Sequence, residues 1–202
     1  MSRTNNPEFD EKGYLAVPAM IEIKEDFHRL EAKAVQINFN RKPDGDSSVR
    51  FGDSLQVDGS SERYNFPDLR ELHYQLKPIV EKHIGKKLLT TYYFDRVYYP
   101  GNELIKHVDR PACEISVSLH ISTNMSPEAA AWPLQFEKDG VHGSVSMPNP
   151  GDAVIYKGDL VPHWRDPMPG TEDSDEYFHQ VFFHYVLADG WNVEHAGDPG
   201  TC

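Results

Sequence analysis

His107-Val108-Asp109 places an imidazole and a carboxylate two positions apart, and another imidazole, His163, follows Gly151-Asp152-Ala153-Val154-Ile155-Tyr156 further along the chain. Two imidazoles and one carboxylate make the facial ligand triad of a mononuclear non-haem iron(II) centre. Three ligands on one face of an octahedron leave three positions open for a co-substrate and dioxygen. Nitrogen and oxygen donors suit ferrous iron, although manganese, cobalt, nickel and zinc accept them too. On a strand, side chains two apart point the same way, so a strand carrying His107 and Asp109 would aim both at one metal. In a chain with ten histidines a His-x-Asp pair is not decisive alone, and its surroundings carry the weight.

Those surroundings read as strands. Leu88 to Tyr99 is rich in Thr, Tyr, Phe and Val, which favour strands, and Pro100-Gly101-Asn102 turns the chain toward the pair. Glu114 to Ser122 alternates, with Ile115, Val117, Leu119 and Ile121 on one face and Ser116, Ser118, His120 and Ser122 on the other. This predicts a half-buried strand whose polar face walls a polar cavity. Residues 132–137, 141–147, 152–156 and 178–187 add further short strands.

Ahead of them, Gly13 to Pro18 reads as a short strand and 21–35 as a mixed segment with a helical middle. Asn40 to Tyr64, rich in Asp, Gly, Ser and Arg, reads as a long loop. Phe66-Pro67-Asp68-Leu69 opens a helix with Leu69, Leu72, Leu76, Ile79, Val80 and Ile84 on one face; Pro78 should bend it and Gly85 end it. The order fits a mainly β chain with flanking helices, a double-stranded β-helix (jelly roll) behind N-terminal helices. We expect one domain over 1–202: helical and loop support to 87, a β core over 88–187 and a tail over 188–202.

A chain of 202 residues can bury a single core, and its 39% hydrophobic and 26% charged residues are globular proportions. No run of eighteen apolar residues occurs and the polar start lacks a signal-peptide core, so the expected location is cytoplasmic, or the host cytoplasm if the chain is phage-encoded. A net charge of -12 disfavours nucleic acid as a partner, since phosphate binding requires a basic stripe. Lys106, Arg110, Lys157 and Arg165 near the proposed ligands could still form a basic mouth for an anionic co-substrate. Cys113 reads as a small buried residue, and with Cys202 makes too few cysteines for a disulfide framework. Asp95 and Glu103 read as solvent-facing.

The His107-x-Asp109…His163 set, with the Tyr-Pro-Gly turn before it and Pro150-Gly151-Asp152 ahead of the distal His, resembles the 2-oxoglutarate and iron(II)-dependent oxygenases. The likeness covers roughly residues 88–187 and is nearest to the prolyl-hydroxylase branch and to short single-domain members from phages and bacteria. It implies an oxidoreductase, a dioxygenase that uses Fe(II), 2-oxoglutarate and O2 to hydroxylate an unactivated C–H bond. The substrate would be a small molecule or a peptide or protein, prolyl-like or amino-acid-like. His107, Asp109 and His163 would be the metal ligands, and Tyr99 (or Tyr98) and His120 match pocket positions of the hydroxylase branch.

The family usually places a cation for the far carboxylate of 2-oxoglutarate on the strand after the distal His, and this chain departs from that. Thr171 to Val186 holds no Lys or Arg. Arg165, two residues beyond His163, is the first choice for that role, with His179 and Gln180 as alternatives. Trp164 could shield the site from water, and Arg110 is expected to pair with Glu114 rather than meet substrate. His142, His179, His184 and His195 read as structural or exposed. A cupin-like metal enzyme that does not use 2-oxoglutarate, or a non-catalytic jelly-roll binding protein, is the alternative reading; the intact ligand set disfavours both.

Overall fold

The computed structural model describes residues 6–23, 50–54, 56–171 and 173–200. The middle of the segment read as helical over 21–35, and residues 40–49 of the expected loop, lie outside them. Among the described residues eleven strands form two antiparallel sheets. The larger sheet joins β1 (Tyr14–Val17), β9 (Ala153–Tyr156), β6 (Ile115–Thr123), β11 (Phe178–Leu187), β4 (Leu88–Tyr98), β3 (Ser61–Tyr64) and β2 (Arg50–Asp53), in that order. The smaller joins β5 (Leu104–His107), β10 (His163–Arg165), β7 (Leu134–Lys138) and β8 (Val141–Val145). Two sheets facing each other give the expected jelly roll.

Two cores follow from the alternation of the strands. Between the sheets lie Tyr98, Phe94, Phe178, Phe182 and Tyr156 from the larger sheet and Leu104, Leu134 and Phe136 from the smaller. Behind the larger sheet, Val117, Leu119, Val181 and Phe183 pack on Phe9 of helix α1 (Pro7–Lys12) and on Leu76, Val80 and Ile84 of helix α2 (Arg70–Ile84). Each of these three α2 side chains is fully buried and stabilises the fold by roughly 1.5–3 kcal/mol. The chain enters α2 through a 3-10 turn, Pro67–Leu69, and leaves at Gly85, whose φ of 72° provides the left-handed cap. Among the described residues no helix is long and apolar enough to cross a membrane.

Three expectations change. β6 is buried on both faces rather than one, because its apolar side joins the core shared with α1 and α2, and its polar side, up to the register shift before Ser122, faces the smaller sheet. Within the expected loop, β2 and β3 form a hairpin that extends the larger sheet beside β4. That hairpin also overturns the reading of Asp95 as exposed: Asp95 is fully buried, with Arg63 of β3 donating through Nε at 2.9 Å and His179 Nε2 lying 2.9 Å away.

Candidate metal centre and its pockets

His107 ends β5 and His163 begins β10, and the two are register partners across the smaller sheet. Nδ1 of His107 lies 2.8 Å from the Ile105 carbonyl, and Nδ1 of His163 lies 2.9 Å from the Val161 carbonyl. A carbonyl can only accept, so each Nδ1 carries the proton and each Nε2 presents a lone pair. Both Nε2 atoms face Asp109 Oδ1, at 3.5 Å and 3.7 Å. The three donor atoms lie within 4.8 Å of one another, the spacing one ion could bridge.

Asp109 is not on the strand that carries His107, contrary to the simple spacing argument, because β5 stops at His107. Its backbone N–H donates to the Gly158 carbonyl at 2.8 Å, and its Oδ2 accepts from Ser116 Oγ at 3.2 Å. Gly158 has no alternative there: a Cβ would run into Asp109 Oδ2, the Cys113 carbonyl and Ser116 Oγ. Burial alone would raise the Asp109 carboxyl, yet the surrounding imidazoles hold it well below the usual range. Burial lowers His163, with Asp109 opposing, whereas at His107 Asp109 outweighs burial and the net shift is upward. The carboxylate is thus ionised at neutral pH, ready to meet a cation.

Arg165 lies deeper between the sheets. It is about 1% exposed, its Nη1 donates to the Trp132 carbonyl at 2.9 Å, and its Nη2 has no partner among the described residues. Aromatic rings surround it, Trp132 at 4.2 Å, Phe178 at 5.2 Å and Tyr98 at 5.9 Å, and burial pushes its pKa down to about 10. At neutral pH it is a buried cation, and among the described residues no carboxylate pairs with it. His120 stacks on Phe178 at 4.2 Å and gives its Nδ1 proton to the Met147 carbonyl at 2.8 Å. Its Nε2, Gln180 Oε1 and Ser118 Oγ likewise have no partner among the described residues. Buried polar groups are rarely left so, and a cluster of them signals space for a polar guest.

No protein-family model matches this sequence, and no curated protein does. Solved structures do match. A Pseudomonas putida prolyl-4-hydroxylase superposes with a TM-score of 0.57 at 16% identity, over 88% of this chain and 94% of that one. A Burkholderia pseudomallei oxidoreductase of the 2OG-Fe(II) oxygenase family gives 0.63 at 12% identity, over 96% and 91%. Streptomyces hygroscopicus HygX, solved with nickel, 2-oxoglutarate and hygromycin B bound, gives 0.61 at 11% identity, over 90% and 85%. The fold is that of the 2-oxoglutarate and iron(II)-dependent oxygenases.

Within this oxygenase fold, His107, Asp109 and His163 come together, and Arg165 and His120 point into the same interior. Tyr99 does not join them. It belongs to the turn before β5, its N–H donating to Asn102 Oδ1 at 2.8 Å, while Tyr98 is the buried tyrosine, its Oη accepting from Arg96 Nη1 at 3.2 Å. Trp164 faces outward, stacked on His142 at 4.9 Å, because its strand neighbours His163 and Arg165 take the inner face. Arg110 pairs with Asp198 through two 2.8 Å bonds and not with Glu114, which instead accepts from the Leu187 N–H. The expected basic mouth is absent: Lys106 pairs with Glu137, Lys157 lies near Asp10 and Arg165 is buried.

Sequence reasoning assigned no role to Gly158 or Arg96, placed Ser116 only on a polar strand face, and suggested a structural or exposed part for His184. Arg96, Glu62 and His184 line the cavities next to the triad, with Arg96 Nη2 donating to Glu62 at 3.0 Å. Asp109, Cys113 and His184 also lie close together, but burial keeps the Cys113 thiol protonated and a poor ligand. Ser116 could have been found from the polar face of β6. Gly158 gave no local signal.

Proposed function

We propose that the protein is a non-haem iron(II) and 2-oxoglutarate-dependent dioxygenase that hydroxylates an unactivated C–H bond of a small-molecule or peptidyl substrate. The observation that carries this reading is the pairing of a convergent His107-Asp109-His163 triad with a buried, uncompensated Arg165 in one interior. A dianionic keto acid would satisfy both, one end at the metal and the far carboxylate at Arg165 Nη2. The family's expected cation belongs to the strand after the distal His; here that strand, β11, starts at Phe178 and carries no Lys or Arg. Arg165 reaches over the Phe178 ring from β10, so the charge can occupy the same place from a different backbone origin.

Bound iron and keto acid would supply the oxidising power. The chain supplies geometry and exclusion. His107, Asp109 and His163 would hold the ion, their orientation set by backbone carbonyls and by Ser116. Leu104, Leu134 and Phe182 line the cavity beside them and limit water. His120 is an acceptor at Nε2, so it would orient a neighbouring N–H rather than hold a carboxylate. A prolyl-like or amino-acid-like substrate is favoured over nucleic acid, given the charge of -12.

The test is an anaerobic titration of 2-oxoglutarate into the iron(II)-loaded protein, read by the visible charge-transfer band of the keto-acid chelate. A saturable band that vanishes in His163→Ala is expected. Iron bound without any band would reject the keto acid.

A further inference from the structure

A cavity of about 180 Å³ adjoins the triad on the side of Asp109, walled by Tyr64, Tyr92, Phe94 and His184. Space of roughly 150 Å³ lined by apolar groups accepts a benzene-sized ring, so this cavity has room for one cyclic group. Tyr64 stacks on Phe94 at 4.9 Å, and His184 lies 4.6 Å from Tyr92 and 5.6 Å from Phe94, so flat faces define the space.

The neighbours of His184 favour one tautomer. Its Nδ1 lies 2.9 Å from Ser116 Oγ, and that hydroxyl has one proton to give, to Asp109 Oδ2 at 3.2 Å or to the Cys113 carbonyl at 3.1 Å. The carboxylate and the carbonyl can only accept, whereas imidazole can donate, so the arrangement that pairs the most groups has Ser116 donate to one of the first two and accept from His184. Nδ1 then carries the hydrogen and Nε2 is a bare acceptor. Nε2 has no partner among the described residues although the side chain is only about 2% exposed, and the ring forms a wall common to the metal cavity and the larger one.

Charge narrows the occupant. Arg110, the cation that lines this cavity, is held by both oxygens of Asp198, and the carboxylate of Glu62 is held by Arg96 at 3.0 Å. Neither is left to neutralise a charged ligand, and the Asp109 carboxylate that also lines the cavity would be taken up by the metal. We propose that this cavity is the primary-substrate subsite, and that it takes an uncharged cyclic group whose N–H or O–H donates to Nε2 of His184. The subsite rests on the oxygenase reading for its purpose, since it places the ring beside Asp109. The contact itself does not require metal or keto acid.

Histidine-selective ¹⁵N labelling of the full chain tests it, with imidazole nitrogen spectra recorded with and without zinc(II) as a diamagnetic stand-in. The His184 signals are assigned by their loss in His184→Gln. Nδ1 protonated and Nε2 bare is expected. Titration with 2-pyrrolidinone should move the Nε2 resonance saturably, and N-methyl-2-pyrrolidinone, which lacks the donor, should bind at least tenfold more weakly. A protonated or zinc-bound Nε2, equal affinities for the two lactams, or no saturable shift with the first would each overturn the proposal. Absence of the iron(II)–2-oxoglutarate band from the wild-type chain would reject the oxygenase reading while leaving the nitrogen spectra to decide the subsite.

Discussion

His107 and His163 oppose each other across β5 and β10 with ring centroids 4.4 Å apart, and each is clamped through Nδ1 by the carbonyl two residues before it. The clamp is main-chain, so the imidazoles keep their aim without dedicated carboxylate partners. Alanine at His107, Asp109 or His163 should therefore abolish stoichiometric iron(II) binding. Anaerobic metal titration checks this, and full iron occupancy in His107→Ala and Asp109→Ala would remove the assignment.

Gly158→Ala should weaken the metal site without touching a ligand. The added methyl displaces Asp109 Oδ2 and Ser116 Oγ, which together fix the carboxylate. Loss of such support typically costs about 10–100-fold in metal affinity. Competition against a metallochromic indicator measures it; unchanged affinity would mean that Asp109 is held elsewhere.

At Arg165 binding and stability should move in opposite directions. Replacing this solitary buried cation by Met removes an uncompensated charge, which should stabilise the ligand-free chain by roughly 1–3 kcal/mol. The same change should weaken 2-oxoglutarate at least tenfold and leave iron(II) affinity intact. Denaturant melts with and without the keto acid separate the two effects, and an unchanged keto-acid requirement would transfer the role to Gln180.

Acid sensitivity should begin near neutrality. Burial lowers His73, His120 and His184 from 6.5 to about 4. Their folded pKa lies below the unfolded value, so the unfolded chain takes up protons first as pH falls. Stability from this source is whole above 6.5 and is lost between 6.5 and about 4, by up to about 1.4 kcal/mol per pH unit for each histidine. His73 lies away from the metal centre, its Nε2 3.1 Å from the His184 carbonyl. His73→Gln should make the decline shallower by one histidine's share, read from urea midpoints at several pH values; an identical slope would discount His73.

The ligand types and the strands that carry them were legible because both are local: His107-x-Asp109 is a short pattern, and β4, β6 and β11 announce themselves by β-favouring residues. What escaped was set at long range. Asp95 looked exposed because its partner Arg63 lay in a polar stretch taken for loop, so one misreading produced the other. Trp164 was recoverable, since a strand that turns His163 and Arg165 inward must turn the residue between them outward. Arg110 was matched to Glu114, four residues on, whereas its partner, Asp198, comes from near the end of the described chain. No sequence window holds both.

β6 separates two kinds of evolutionary change. Ile115, Val117, Leu119 and Ile121 anchor the layer they share with α1 and α2, while Ser118 offers a small side chain to the interior between the sheets. Exchanges at Ser118 can reshape the chamber with little effect on the anchoring layer. A lineage built on this strand can drift toward new substrates while its foundation stays under independent selection.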